Sequence, residues 1–231
     1  MARVATAHLD SLTLISGAFG LFRRSVLIEV GGYRHDTIGE DLELMVRLHR
    51  KMRDAGGPYE VEFVPEVVCW TEAPATWKGL RNQRARWQQG ALETLIGHRA
   101  MLFNPRYGRI GLVMMPQIVL EDVIGPPAEL LGYRLLPIAW SLGLFPTEAL
   151  LAFLAFTLAL GTAASFLALA LEEFQLRRTP SAKDLAWLGA AALVENLGYR
   201  QANLAFRILG IKRHLRRQTA WASAPRLGFT S

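Results

Sequence analysis

Ala149 to Leu171 reads ALLAFLAFTLALGTAASFLALAL and carries no charged residue. About 20 apolar residues at helical rise match the hydrocarbon thickness of a bilayer. A helix apolar on every face has few places in a soluble core, so this run is read as a membrane helix. The remaining sequence is judged against that commitment. Hydrophobic residues make up 51% of the 231, and mean hydropathy is +0.19, which is too apolar for a disordered chain. Cys69 is the single cysteine, which excludes a disulfide scaffold. The 20 glycines and 11 prolines follow no period, which excludes collagen-like classes.

The apolar residues are unevenly spread. Up to about Arg109 the sequence is mixed and holds most of the charge; from Ile110 to about Leu209 Leu, Ala, Ile, Val and Phe dominate; from Lys212 it is basic. MARVATAHLD has no apolar stretch, so it is not a signal peptide. It leads at once into TLISGAFGLF, a buried-strand pattern with small residues at its centre. RRSVLIEV predicts a short helix closed by Gly31 and Gly32. Leu42, Met45, Val46 and Leu48/His49 recur at helical spacing and predict a helix over Ile38–Asp54, stopped by Gly56 and Gly57. YEVEFVP alternates like a half-buried strand, and EVVCWTEA predicts another. Pro74 opens a long helical stretch to about Phe103. The content is α/β, short of a full doubly wound sheet.

Ile110 to Leu144 admits two readings: two short membrane helices broken at Gly125-Pro126-Pro127, or one kinked helix preceded by an interfacial segment. Its Glu121, Asp122 and Glu129 either line a polar passage or pair with Arg134 or sit at the headgroups. Leu185 to Leu209 either spans or lies on the surface as an amphipathic helix. The positive-inside rule places KRHLRR, Lys212 to Arg217, and the arginine-rich first half in the cytoplasm, which requires an even number of crossings. The net charge of +6 is not accompanied by a groove-reading motif. Anionic lipid explains a basic cluster beside apolar helices more simply, so nucleic acid is not an expected partner.

Three segments carry candidate chemistry. Ser16-Gly17-Ala18 would let a ligand or a neighbouring chain approach the backbone closely; tight packing of a strand on a helix is the competing reading. Glu40 and Asp41 open a helix, where the macrodipole favours acids; a carboxylate there can also act as a general base toward a sugar hydroxyl. Gln83, Arg86 and Trp87 stand at i, i+3 and i+4, on one helical face. Gln and Arg are seldom buried unpaired, and a solvated face rarely carries Trp. The set suits a phosphorylated sugar: a guanidinium fork for phosphate, directional amide bonds, and an indole for stacking.

Ser16-Gly17, FRRSVLIEVGGY, GED and QRARW, in this order and followed by apolar helices, resemble the membrane-embedded glycosyltransferase family 2. That group includes cellulose, hyaluronan and poly-N-acetylglucosamine synthases. The resemblance covers about Leu12 to Trp87 by motif and the remainder by architecture. It implies a partial GT-A-like α/β domain with an interfacial helix (1–104), then an all-α transmembrane domain (105–211) and a basic cytoplasmic tail (212–231). It implies a multi-pass protein of the inner cell membrane with its catalytic part facing the cytoplasm. The implied reaction is inverting transfer from a nucleotide-sugar, a UDP-sugar by family habit, to a saccharide acceptor. Asp41 would be the base, with Glu40 completing the acidic pair. Gln83 and Arg86 would contact the pyrophosphate. Trp87 would stack on the acceptor, beside Ser16, Gly17 and Ala18. The family also implies Mg²⁺ or Mn²⁺ held by an Asp-x-Asp sequence. This chain has none, so the expectation is a C-terminal portion, inactive alone, whose partner is an N-terminal nucleotide-binding half. A non-enzymatic multi-pass membrane protein, for transport or assembly, is the rival; it leaves GED and QRARW unexplained.

Overall fold

A computed structural model describes residues 11–13, 15, 17, 19–64, 69–176 and 181–218. The helices are α1 (Arg24–Val30), α2 (Glu40–Ala55), α3 (Trp77–Gly97), α4 (Met115–Ile118), α5 (Gly125–Ser141), α6 (Thr147–Leu176), α7 (Ala182–Val194) and α8 (Arg200–Leu215). Two compact units divide them. One holds 127–205; the other holds the described residues up to 126 and from 206 onward.

The second of these units carries the motifs. Its α2 begins with Glu40, Asp41 and Glu43 in the first turn, where acids complement the exposed N–H groups. Gly31 and Gly56 close α1 and α2 in the left-handed conformation, with φ of 88° and 70°. Thr76 caps α3, its hydroxyl accepting from the Gly79 N–H at 3.0 Å. Leu44, Met45 and Val46 are at most 1% exposed. Val46 packs with Ala91 and Leu95 of α3 and with Met101, Tyr107, Ile110, Met115 and Ile118 in one apolar cluster.

The expected α/β domain is not observed: among the described residues there is no strand. Among the described residues of TLISGAFGLF and YEVEFVP the alternation yields one isolated β-bridge at Phe19 and no continuous strand. The carbonyl of Leu12 takes its hydrogen bond from a side chain instead, the buried His49 ring (Nε2 to O, 2.8 Å). Because that carbonyl only accepts, Nε2 carries the proton, and Nδ1 faces the Tyr59 hydroxyl at 2.8 Å. Gly17 lies in a turn. Ser16, Ala18 and most of EVVCWTEA's first half lie outside the described residues.

The expected transmembrane bundle is also corrected. Ile110 and Met115 are fully buried in the apolar cluster, so one face of this segment packs into a protein core, while its Leu112, Val113, Leu120 and Ile124 are exposed. Helical turns then continue from Ile110 to Ser141 without a break at Gly125-Pro126-Pro127. A π-type turn precedes the prolines, and the Gly125 N–H reaches back to the Leu120 carbonyl. Pro126 and Pro127 have no N–H, which orphans the carbonyls of Glu121 and Asp122. Side chains cap both: Arg207 Nη2 donates to Glu121 O, and Gln88 Nε2 donates to Asp122 O at 2.6 Å. Arg207 also bonds Gln88 Oε1 at 2.8 Å and the Asp122 carboxylate at 2.9 Å. Asp122 and Glu129 therefore pair with Arg207 and Arg200 of α8 rather than with Arg134, and the Glu121 carboxylate takes the Gln117 amide at 2.8 Å.

In the unit of residues 127–205, α6 and α7 pack together, with Phe166 against Gly189. Glu129 pairs with Arg200 at 2.9 Å. Among the described residues one helix, Thr147–Leu171, is long and apolar enough to cross a membrane. Its 25 residues reach about 37 Å at helical rise. The stretch from Leu185 to Leu209 is interrupted at Leu197 and Gly198, whose backbones are non-helical. The 13 residues of α7 cover only about 20 Å.

Candidate active site

Asp41 occupies the second position of α2. Its Oδ1 accepts the Leu42 N–H at 2.8 Å. Its Oδ2 faces Gly17: a Cβ placed on that glycine would lie 3.1 Å from the oxygen. Any side chain at 17 would crowd the carboxylate, so only glycine lets the backbone come this close to Asp41. Glu40 is half-buried one residue earlier. Tyr33, which follows the Gly31-Gly32 turn, stands in the field of both acids. Its hydroxyl pKa is pushed up, first by burial and then by the charges of Asp41 and Glu40.

The helix bearing the acids is locked from behind. Glu43, 3% exposed, pairs with Arg47 at 2.9 Å and with His98 at 3.2 Å. Arg47 also donates to the carbonyls of Val30 and Gly32, which ties the Gly31-Gly32 turn to α2. Burial pushes the Glu43 carboxyl up, but the hydrogen bonds and charges of His98 and Arg47 outweigh it, and its pKa sits below the ordinary carboxylate value.

On α3, Gln83 and Arg86 are half-buried and Trp87 is 52% exposed. The Arg84 guanidinium lies over the Trp87 ring, 4.6 Å from its centre. Gly90 continues the face of Gln83, Arg86 and Trp87, at i+7, i+4 and i+3. That glycine is where the two motifs meet. A Cβ on Gly90 would lie 2.6 Å from Gly39 Cα, and one on Gly39 would lie 2.8 Å from Gly90 Cα. The backbone leading into Glu40-Asp41 therefore rests on α3 about 6 Å along the axis from Arg86 and about 10 Å from Gln83. Glu93 secures the contact: its Oε2 accepts from the Thr37 hydroxyl at 3.0 Å and the Ile38 N–H at 2.9 Å.

Sequence reasoning passed over Glu93, Tyr33 and the Glu43–His98 pair. The signal for Glu93 was its position three residues past an interior helical glycine, on the face already singled out. Among the described residues no group of three or more His, Cys, Asp or Glu side chains is placed to hold a metal ion. Glu43, the buried acid nearest the start of α2, is engaged by Arg47 and His98, so it is not available as a metal ligand.

An acidic helix start, opened by a glycine and backed onto a helix bearing Gln, Arg and Trp, has the make-up of a group-transfer site for phosphorylated sugars. Residues 1–174 match the glycosyl transferase family group 2, and the chain belongs to that family. Poly-beta-1,6-N-acetyl-D-glucosamine synthase of Staphylococcus aureus (strain COL) is 31% identical over 109 residues, 47% of this chain and 25% of that protein. The synthase of the same name from Staphylococcus epidermidis (strain RP62A) is 40% identical over 86 residues, 37% of this chain and 19% of that protein. The chain thus spans a quarter or less of the length of these relatives. No solved structure matches it.

Proposed function

We propose that this chain carries the acceptor side of an inverting, membrane-attached glycosyltransferase that extends a polysaccharide, with N-acetylglucosamine as the sugar its relatives' names suggest. The acceptor hydroxyl enters beside Gly17 and gives its proton to Asp41. The acceptor oxygen attacks the anomeric carbon as the bond from that carbon to the diphosphate oxygen breaks, and the nucleoside diphosphate leaves with the electron pair. Arg86 and Gln83 oppose the charge that develops on the diphosphate. Trp87 stacks on the acceptor through the indole face that Arg84 does not cover. Glu40 completes the acidic pair at the start of α2 beside Asp41. Thr147–Leu171 attaches the site to the bilayer, and the basic Lys212–Arg217 segment keeps it on the cytoplasmic side. Donor binding needs a nucleotide-binding half with an Asp-x-Asp sequence, which the chain does not contain, so the isolated chain is expected to be inactive.

The observation that carries this reading is the close approach of Gly17 to Asp41 Oδ2, where even a Cβ would lie 3.1 Å from the oxygen. The test is transfer of labelled sugar from UDP-N-acetylglucosamine in membranes from cells expressing the sequence at its native locus. Asp41→Asn should abolish transfer and leave nucleotide binding intact. Unchanged turnover would remove Asp41 from the base role.

A further inference from the structure

Glu93 lies six residues past Trp87 on α3, one turn past Gln89, and is half-buried. Both of its oxygens are used. Oε2 takes the Thr37 hydroxyl and the Ile38 N–H at 3.0 and 2.9 Å. Oε1 takes the Gln89 amide at 3.0 Å, and the same amide nitrogen also donates to the Gln218 carbonyl at 2.9 Å. These bonds fall on two consecutive residues, Thr37 and Ile38. The next residue is Gly39, pressed on Gly90; the next two are Glu40 and Asp41. A carboxylate that accepts three hydrogen bonds is a strong anchor, since each charge-assisted bond is worth more than a neutral one.

We infer that Glu93 is a positioning residue: it fixes the 37–39 turn on α3 and thereby sets where the Asp41 carboxylate stands relative to Gln83, Arg86 and Trp87. This assignment rests on the reading of Asp41 as the base. A clamp of this kind acts through geometry. It contributes to the rate in proportion to how tightly the reacting groups must be held, and misplacement by about 1 Å costs about 100-fold. It contributes little to donor affinity, because both Glu93 oxygens are taken by Thr37, Ile38 and Gln89.

The geometry also says which substitutions matter. Glu93→Ala removes both acceptors. Glu93→Gln keeps one carbonyl oxygen for Thr37 and Ile38, while its new amide turns toward Gln89, whose own amide can rotate to present oxygen. Thr37→Val removes one donor and leaves the Ile38 bond.

The experiment has two readouts on the full chain. Amide hydrogen exchange of purified protein follows the 37–41 segment. Steady-state transfer from UDP-N-acetylglucosamine follows kcat and donor KM in native-locus membranes. Glu93→Ala should raise exchange at Ile38 and lower kcat about 100-fold with donor KM nearly unchanged. Glu93→Gln should restore both, and Thr37→Val should fall between. Wild-type exchange at Ile38 in Glu93→Ala would overturn the clamp. Equal loss of kcat in Glu93→Gln and Glu93→Ala would overturn it as well, because it would assign the effect to charge rather than to position. Absence of transfer from the wild type would overturn the functional reading alone; the exchange result would still decide whether Glu93 holds the turn.

Discussion

Replacing Gly90 with alanine tests the contact that joins the two motifs. The added methyl would sit 2.6 Å from Gly39 Cα and 2.8 Å from Gly39 N. Both are backbone atoms, so no side chain can rotate aside. Reaching ordinary contact requires the turn and the helix to separate by about 0.8 Å. The separation stretches the two bonds from Thr37 and Ile38 to Glu93, now 3.0 and 2.9 Å, past hydrogen-bond range. Overpacking costs about 1–3 kcal/mol, and each lost bond costs about 1 kcal/mol. Alanine in a helix interior returns about 1 kcal/mol. The net is a loss of about 2–4 kcal/mol, or about 4–16 °C in Tm. Gly97→Ala is the control, because nothing lies within 4 Å of its added methyl. Thermal unfolding of the detergent-solubilised chain measures both. Gly90→Ala as stable as Gly97→Ala would refute the close approach.

Arg207→Leu leaves the Glu121 carbonyl and the Asp122 carboxylate without their caps and should cost about 2–4 kcal/mol in chemical unfolding; Arg207→Lys, reaching fewer of these acceptors, should cost less. The depressed pKa of Glu43 contributes stability that is complete above the ordinary carboxylate value of 4.5 and is lost as pH falls through the lower folded value. Tm should therefore drop in acid, and Glu43→Gln should flatten that acid slope while lowering Tm at neutral pH. Trp87→Ala should raise the acceptor KM more than the donor KM in the transfer assay; a collapse of donor affinity alone would reassign the indole.

The helices were largely legible because each carries its own period and its own stops. Leu42, Met45 and Val46 with Gly56 marked α2 to within two residues. The strands were misread because alternation records a buried face but not a partner, and the Leu12 carbonyl is bonded by a histidine distant in sequence. Of the two readings at Gly125-Pro126-Pro127, the broken one is ruled out by helical turns that run through it, because the orphaned carbonyls are rescued by Gln88 and Arg207, which lie far away in the chain. Ile110 and Met115 looked like membrane residues because an apolar helix facing a protein core and one facing lipid share the same composition. At the site, GED and QRARW were visible as segments. Their junction was not, because it depends on the hydrogen atoms that replace Cβ at Gly39 and Gly90. Glu93 looked like any exposed helical acid.

Asp41 beside Gly17 is the heart of the account, and a cysteine pair measures it. A Cβ at position 17 would lie 4.0 Å from Asp41 Cβ, within the usual span of a disulfide. In a chain with Cys69 replaced by serine, Gly17→Cys with Asp41→Cys should cross-link under mild oxidation and release on reduction. Gly17→Cys with Lys51→Cys, far along α2, should not. Failure of the first pair to link, or equal linking of both, would contradict the placement of the acid on which the proposed sugar transfer stands.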